Sequence, residues 1–145
     1  MFRPASLARH ALADLFLDTL PYNAHATAAD ALWAGLPVVT CMGRTFAGRV
    51  AASQLRAAGL PDLIADSLDG YEALALQLAR DPELLISYRK QLLKRTAPLF
   101  DTDRFRKNIE AAYIQMHESG KSGEAARSFR VADGGSIAAK GAEGL

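Results

Sequence analysis

The stretch Gly35-Leu36-Pro37-Val38-Val39-Thr40-Cys41-Met42-Gly43 constrains the fold more than any other part of the chain. A short run rich in β-branched side chains stands between a proline and a glycine. A strand with one wet face alternates apolar and polar residues. A run without that alternation suits burial on both faces, as in a parallel sheet covered by helices. The flanks agree. Thr27 to Ala34 reads as a helix with Ala28, Leu32 and the neighbouring Trp33 on one apolar face, and Gly35 suits the positive φ that follows a helix. Leu15-Phe16-Leu17 is a short apolar run ended by Asp18 and the turn-like Leu20-Pro21-Tyr22-Asn23, so a buried strand is expected there. Downstream, Thr45 is placed to cap an Ala-rich helix ending near Gly59, and Leu63-Ile64-Ala65 reads as a weaker third strand.

The rest reads as helical. Ser6 to Leu12 is a short helix. Asp69 and Glu72 have capping-box spacing at the start of another, which ends near Arg80. Asp81-Pro82 supplies an N-cap and a first-turn proline for the next, which Pro98 stops. Asp101 or Thr102 caps a last helix with Phe105, Ile109, Ala112, Tyr113 and Met116 in one stripe. Strand, helix, strand, helix, strand and then helices describe an α/β fold. It is expected to be an incomplete doubly wound parallel sheet followed by C-terminal helices, because a complete lobe of this kind has about six strands. The ordered part is expected over 1–120. From Lys121 onward Gly, Ser and Ala dominate, too little apolar surface to offset ordering entropy, so a disordered tail is expected over 121–145.

Composition excludes several classes. The net charge is +1 with acidic and basic residues interspersed, so nothing points to nucleic acid or an anionic membrane as partner. Cys41 is the only cysteine, which rules out an intramolecular disulfide and a cysteine-rich metal cage. No apolar run approaches the ~20 residues that span a bilayer. Met1 to Ala13 lacks the apolar centre of a signal peptide, so the cytoplasm is the expected location. His10 and His117 have no acidic or cysteine neighbours at ligand spacing and read as surface helix positions; no metal site is expected. Trp33 and Tyr22 read as packing residues, Cys41 as an apolar filler, and Asp101 and Asp103 as helix-start residues.

The segment Tyr22-Asn23-Ala24-His25-Ala26-Thr27-Ala28-Ala29-Asp30 carries the most chemical information. It follows a strand and opens a helix, where free backbone N–H groups and the positive helix end favour phosphate. Small residues at 24, 26, 28 and 29 would let a ligand approach the backbone. His25 and Thr27 add side-chain donors, and Asp30 offers an acceptor for ribose hydroxyls. The plainer reading makes Thr27 an N-cap and His25 a surface residue. Spacing alone leaves both readings open.

LFLDTLPYNAHATAADALWAGLPVVT, GRTFAGRVAASQLRAAGLPDLIA, YEALALQLARDP and APLFDTDRF, in that order, resemble the C-terminal catalytic lobe of O-linked N-acetylglucosamine transferases and their bacterial relatives, from about Leu7 to His117. The resemblance implies the second half of a GT-B C-terminal lobe, with UDP-N-acetylglucosamine as donor substrate and no cofactor. It implies transfer to Ser or Thr hydroxyls of a protein acceptor with inversion. It also implies a missing catalytic lobe or a tetratricopeptide-repeat partner, so that the isolated chain is expected to be inactive alone. Carried over by position, His25 matches the family histidine beside the donor diphosphate. Ala26 stands where the first of two phosphate-contacting threonines is usual, Thr27 matches the second, and Asp30 matches the ribose-binding aspartate. Ala26 removes one hydroxyl donor and keeps its backbone N–H. Arg44 replaces a usual glutamate and Gly48 a usual serine; within a helix, Gly48 would cost about 1 kcal/mol relative to Ala. The expected function is therefore a glycosyltransferase module that binds the UDP-sugar, and the alternative is a catalytically silent remnant or a protein-interaction module.

Overall fold

The computed structural model describes residues 7–132, Gly135 and the pair Ile137–Ala138. The described residues form two compact units that meet in sequence between Phe100 and Asp101. In the first unit, Val38–Cys41 (β2) is the central strand of a parallel sheet, with Phe16–Leu17 (β1) on one side and Ile64–Ala65 (β3) on the other. Phe16 pairs with Val38 and Leu17 with Val39; Thr40 pairs with Ile64 and Cys41 with Ala65. All four residues of β2 are buried, as its unbroken run of apolar and β-branched side chains implied.

Helices α1 (Ala26–Trp33) and α2 (Val50–Ala57) join the strands and pack on β2 and on each other. Helix α3 (Leu68–Arg80) packs on β2 and β3, and α4 (Pro82–Leu93) on α3 and α1. Leu32, Val38, Val39, Leu55, Leu63 and Leu78 form the middle of one core. The end signals behave in part as expected. Gly35 has φ +82 after α1, and the Asp81 side chain accepts from Leu84 N–H at 3.0 Å. A Cβ at Gly35 would stand 2.9 Å from Leu93 Cδ2. Gly35→Ala is therefore expected to lower stability by about 1 kcal/mol, read as a shift of the urea midpoint; an unchanged midpoint would contradict it.

Several expectations are corrected. β1 is an edge strand rather than a buried one, because among the described residues no strand pairs beyond it in the sheet; Leu17 is 54% exposed. Trp33 stays outside the core. Its ring takes the Arg95 guanidinium over its face at 4.1 Å and meets Phe100 edge-on at 5.4 Å. α2 starts at Val50 rather than Thr45, because residues 43–49 close on themselves first, with Gly43 N–H donating to Gly48 O at 2.7 Å. The Thr45 hydroxyl accepts from Gly48 N–H within that loop, so Gly48 carries no helix penalty. A Cβ there would stand 3.1 Å from Pro21 O, so the missing side chain lets the two loops approach.

Ser67, not Asp69, caps α3, by accepting from Gly70 N–H at 3.1 Å. α4 ends at Leu93, ahead of Pro98, where Arg95 takes φ 51 and its N–H closes on Leu92 O at 3.0 Å. His10, read as a surface position, is buried in a short 3₁₀ segment, Arg9–Leu12. In the second unit, α5 (Thr102–Lys121) is capped by Asp101, whose side chain accepts from Arg104 N–H at 2.9 Å. β4 (Arg130–Val131) pairs antiparallel with β5 (Ile137–Ala138). Of the tail expected to be disordered, residues 133, 134, 136 and 139–145 lie outside the described residues.

Candidate functional site

The carboxyl end of β1 leads into a loop built around Asp18. Its carboxylate is buried, and no basic residue pairs with it among the described residues. Instead it collects hydrogen bonds. Oδ1 accepts from Thr19 N–H at 2.9 Å and from Ala24 N–H at 2.6 Å, and Oδ2 accepts from the Thr40 hydroxyl at 2.6 Å. Tyr71 of α3 donates its hydroxyl to Asp18 O at 2.9 Å. Burial, and then the nearby Asp18 and Cys41, hold that phenol above its ordinary 10.0. The loop closes on itself where the Thr19 hydroxyl donates to Tyr22 O at 2.8 Å and Asn23 Nδ2 donates to Thr19 O at 3.0 Å. Asn23 N–H donates to Ala47 O at 3.0 Å and so ties it to the loop after β2.

This scaffold delivers the chain to the start of α1, with His25 at the N-cap. No side chain caps this helix, and its first turn carries no acidic residue. Ala29 N–H, in the next turn, is the first to bond back, to His25 O at 3.1 Å. The amides of the first turn and the positive end of the helix dipole thus stand without a side-chain partner, beside the exposed residues Ala26 and Thr27. Thr27 is inside the helix and not its N-cap, which removes the plainer reading of that residue. Asp30 follows within the same helix and is partly buried. The four residues singled out from the sequence, His25, Ala26, Thr27 and Asp30, therefore occupy the cap and the first turns of one helix behind the carboxyl end of a parallel strand. Open α/β sheets bind ligands at this edge.

Sequence reasoning missed the residues around them. The His25 ring stacks on Tyr22, with centroids 4.8 Å apart and planes at 16°, and meets Phe46 edge-on at 6.3 Å. Both partner rings are exposed, Phe46 at 83%. His25 Nε2 lies 3.4 Å from Ala47 O, and Gln54 Nε2 donates to His25 O at 3.0 Å. Beside this group opens a concavity of about 480 Å³ lined by Phe46, Arg49, Val50, Ser53, Gln54 and Arg56. The only signal for Asp18 was its position, one acidic residue at the end of an apolar run. Nothing in the spacing marked Gln54. Among the described residues no three or more His, Cys, Asp or Glu side chains gather as a metal-binding group. No helix among them is long and apolar enough to cross a membrane.

Comparison with known proteins places the chain in a family. Residues 4–109 match the family model described as glycosyl transferase family 41. The chain is 41% identical over 128 residues to the probable UDP-N-acetylglucosamine–peptide N-acetylglucosaminyltransferase SEC of Arabidopsis thaliana, a match covering 86% of this chain and 13% of that protein. It is 37% identical over 117 residues to the UDP-N-acetylglucosamine–peptide N-acetylglucosaminyltransferase of Caenorhabditis elegans, covering 79% of this chain and 10% of the relative. Among solved structures, a mutant O-GlcNAc transferase of Thermobaculum terrenum superposes with a TM-score of 0.77 at 37% identity, over 85% of this chain and 24% of that one. The chain thus spans a small part of the length of each of these relatives.

Proposed function

Because the chain belongs to glycosyl transferase family 41, we propose that it is the module of a protein O-linked N-acetylglucosamine transferase that holds the diphosphate and ribose of a UDP-sugar. One observation carries this reading: α1 begins at the carboxyl end of β1 with no side-chain cap and no acid in its first turn. A helix start of this kind favours an anion, since its N–H groups and dipole point at the ligand. In this reading the Ala26, Thr27 and Ala28 amides and the Thr27 hydroxyl take the diphosphate. His25, held by Tyr22 and by Gln54, stands at the rim. Asp30 accepts from the ribose hydroxyls.

The reaction joins an acceptor Ser or Thr oxygen to the anomeric carbon. The bond from that carbon to the diphosphate oxygen breaks, and UDP departs with the electron pair. Donors already aimed at the diphosphate stabilise the charge that develops there, without reorganising during the reaction. The acceptor proton passes to a base that this chain does not identify. The reading calls for no organic cofactor or metal, and for residues of a further lobe or repeat partner to complete the site, so the isolated chain is read as inactive alone. The cytoplasm is the proposed location. A second reading, a binding module without transfer activity, draws on Ala26, which offers no hydroxyl to the phosphate.

Calorimetric titration with UDP tests the placement. The wild type is expected to bind UDP weakly. Asp30→Ala should weaken binding about tenfold, the scale of a lost hydrogen bond to a charged group, and Asp103→Ala should leave it unchanged. Equal binding by all three proteins, or loss only in the Asp103 variant, would put the site elsewhere.

A further inference from the structure

Arg49 and Arg56 lie about two helical turns apart at one wall of the concavity on α2, with Ser53 between them. Both are exposed, and neither pairs with a carboxylate among the described residues. Their anchors are neutral. Arg49 Nη1 donates to Gly43 O at 3.3 Å, and Arg56 Nη2 donates to Met42 Sδ at 3.4 Å. A guanidinium has five N–H donors in a planar fork that fits a carboxylate, so most of this capacity stays open. The start of α2 adds to the same field, because it too lacks a side-chain cap and an acidic first-turn residue. Phe46, 83% exposed, and Val50 give the concavity an apolar wall beside these cations.

We propose that this concavity docks an acidic stretch of the acceptor polypeptide, its carboxylates on Arg49 and Arg56 and an apolar side chain against Phe46. The volume of about 480 Å³ suits a few side chains. A free phosphate would use the cations and leave the aromatic wall bare, whereas a peptide uses both. The location also fits. Phe46 meets the His25 ring edge-on at 6.3 Å, and Gln54 donates to His25 O at 3.0 Å. A polypeptide held here runs past the start of α1, where the donor is placed by the reading above, on which this inference rests. The acceptor would thus be chosen by charge next to its hydroxyl as well as by the hydroxyl itself.

Fluorescence anisotropy tests this with a labelled peptide of Asp, Glu, Ser and Leu, and with its counterpart carrying Asn and Gln in place of the acids. The acidic peptide should bind at least about tenfold more tightly, and added salt should erode the difference. Arg56→Glu should abolish most of the preference. Arg49→Gln and Arg56→Gln should each weaken acidic-peptide binding about threefold, the scale of a partly exposed ion pair. Among the described residues the Arg56 side chain makes its one hydrogen bond to the Met42 sulfur, so its variants keep the test valid even if Arg49→Gln disturbs the loop. UDP is titrated into the same proteins. UDP binding that survives Arg56→Glu while peptide preference is lost supports the proposal. Acidic-peptide binding with this arginine dependence but no UDP binding by the wild type leaves the docking site standing and removes the donor reading. The proposal is overturned if both peptides bind alike, if Arg56→Glu keeps the preference, or if that variant loses UDP binding instead of peptide binding.

Discussion

Asp18→Ala is expected to lower the unfolding free energy by about 3 kcal/mol, the combined scale of one buried and one partly buried donor left unsatisfied. The Ala24 N–H and the Thr40 hydroxyl both end on this carboxylate at 2.6 Å, and Thr40 is fully buried. Thr19 N–H, the third donor, lies on a residue open enough to turn to water. Asp18→Asn should cost less, about 1 kcal/mol, because its oxygen keeps the Thr19 and Ala24 amides while the Thr40 hydroxyl rotates to accept from the new NH₂. Urea unfolding followed by circular dichroism separates the two variants. A loss under about 1 kcal/mol for Asp18→Ala would show that water replaces these bonds and that the carboxylate does not organise the loop. The expected consequence for function is that any UDP binding falls with Asp18→Ala, since residues 18–24 deliver His25 to the cap of α1.

Leu55→Ala is expected to cost about 3 kcal/mol, within the range of roughly 2–5 kcal/mol for large-to-small changes in a close-packed interior. Leu55 is fully buried on α2 and belongs to the same core as Leu32, Val38 and Leu63. Removing its methyl groups opens a cavity between the helix and the sheet. Leu76→Ala on α3 is the control. That side chain is 43% exposed, so less area returns to water and no enclosed cavity forms; the expected loss is under about 1 kcal/mol. Equal losses for the two variants in chemical denaturation would mean that α2 is not seated on the core as described. The comparison bears on the site because α2 also holds Gln54 against His25 and carries Arg56.

The sequence by itself determined the order of the elements from β1 to α5 and singled out the segment proposed to carry the site. Local chemistry decides such features. β2 was legible because a run without polar alternation has no wet face, and the end of α1 because glycine alone takes positive φ without strain. The caps at Asp81 and Asp101 were legible because the bond spans only three residues. The tertiary structure decided what depends on partners distant in sequence. Thr45 had the right chemistry for a helix cap, but the closure of Gly43 on Gly48 delays α2 to Val50. Leu17 reads as a core residue until the sheet order makes β1 an edge. The bond from Asp18 to Thr40 bridges two strands, and Gln54 reaches His25 from another helix, so no spacing rule contains either. Periodicity and capping act over one helical turn, whereas a buried carboxylate's partners and an aromatic ring's neighbours are set by which chain segments the core brings together.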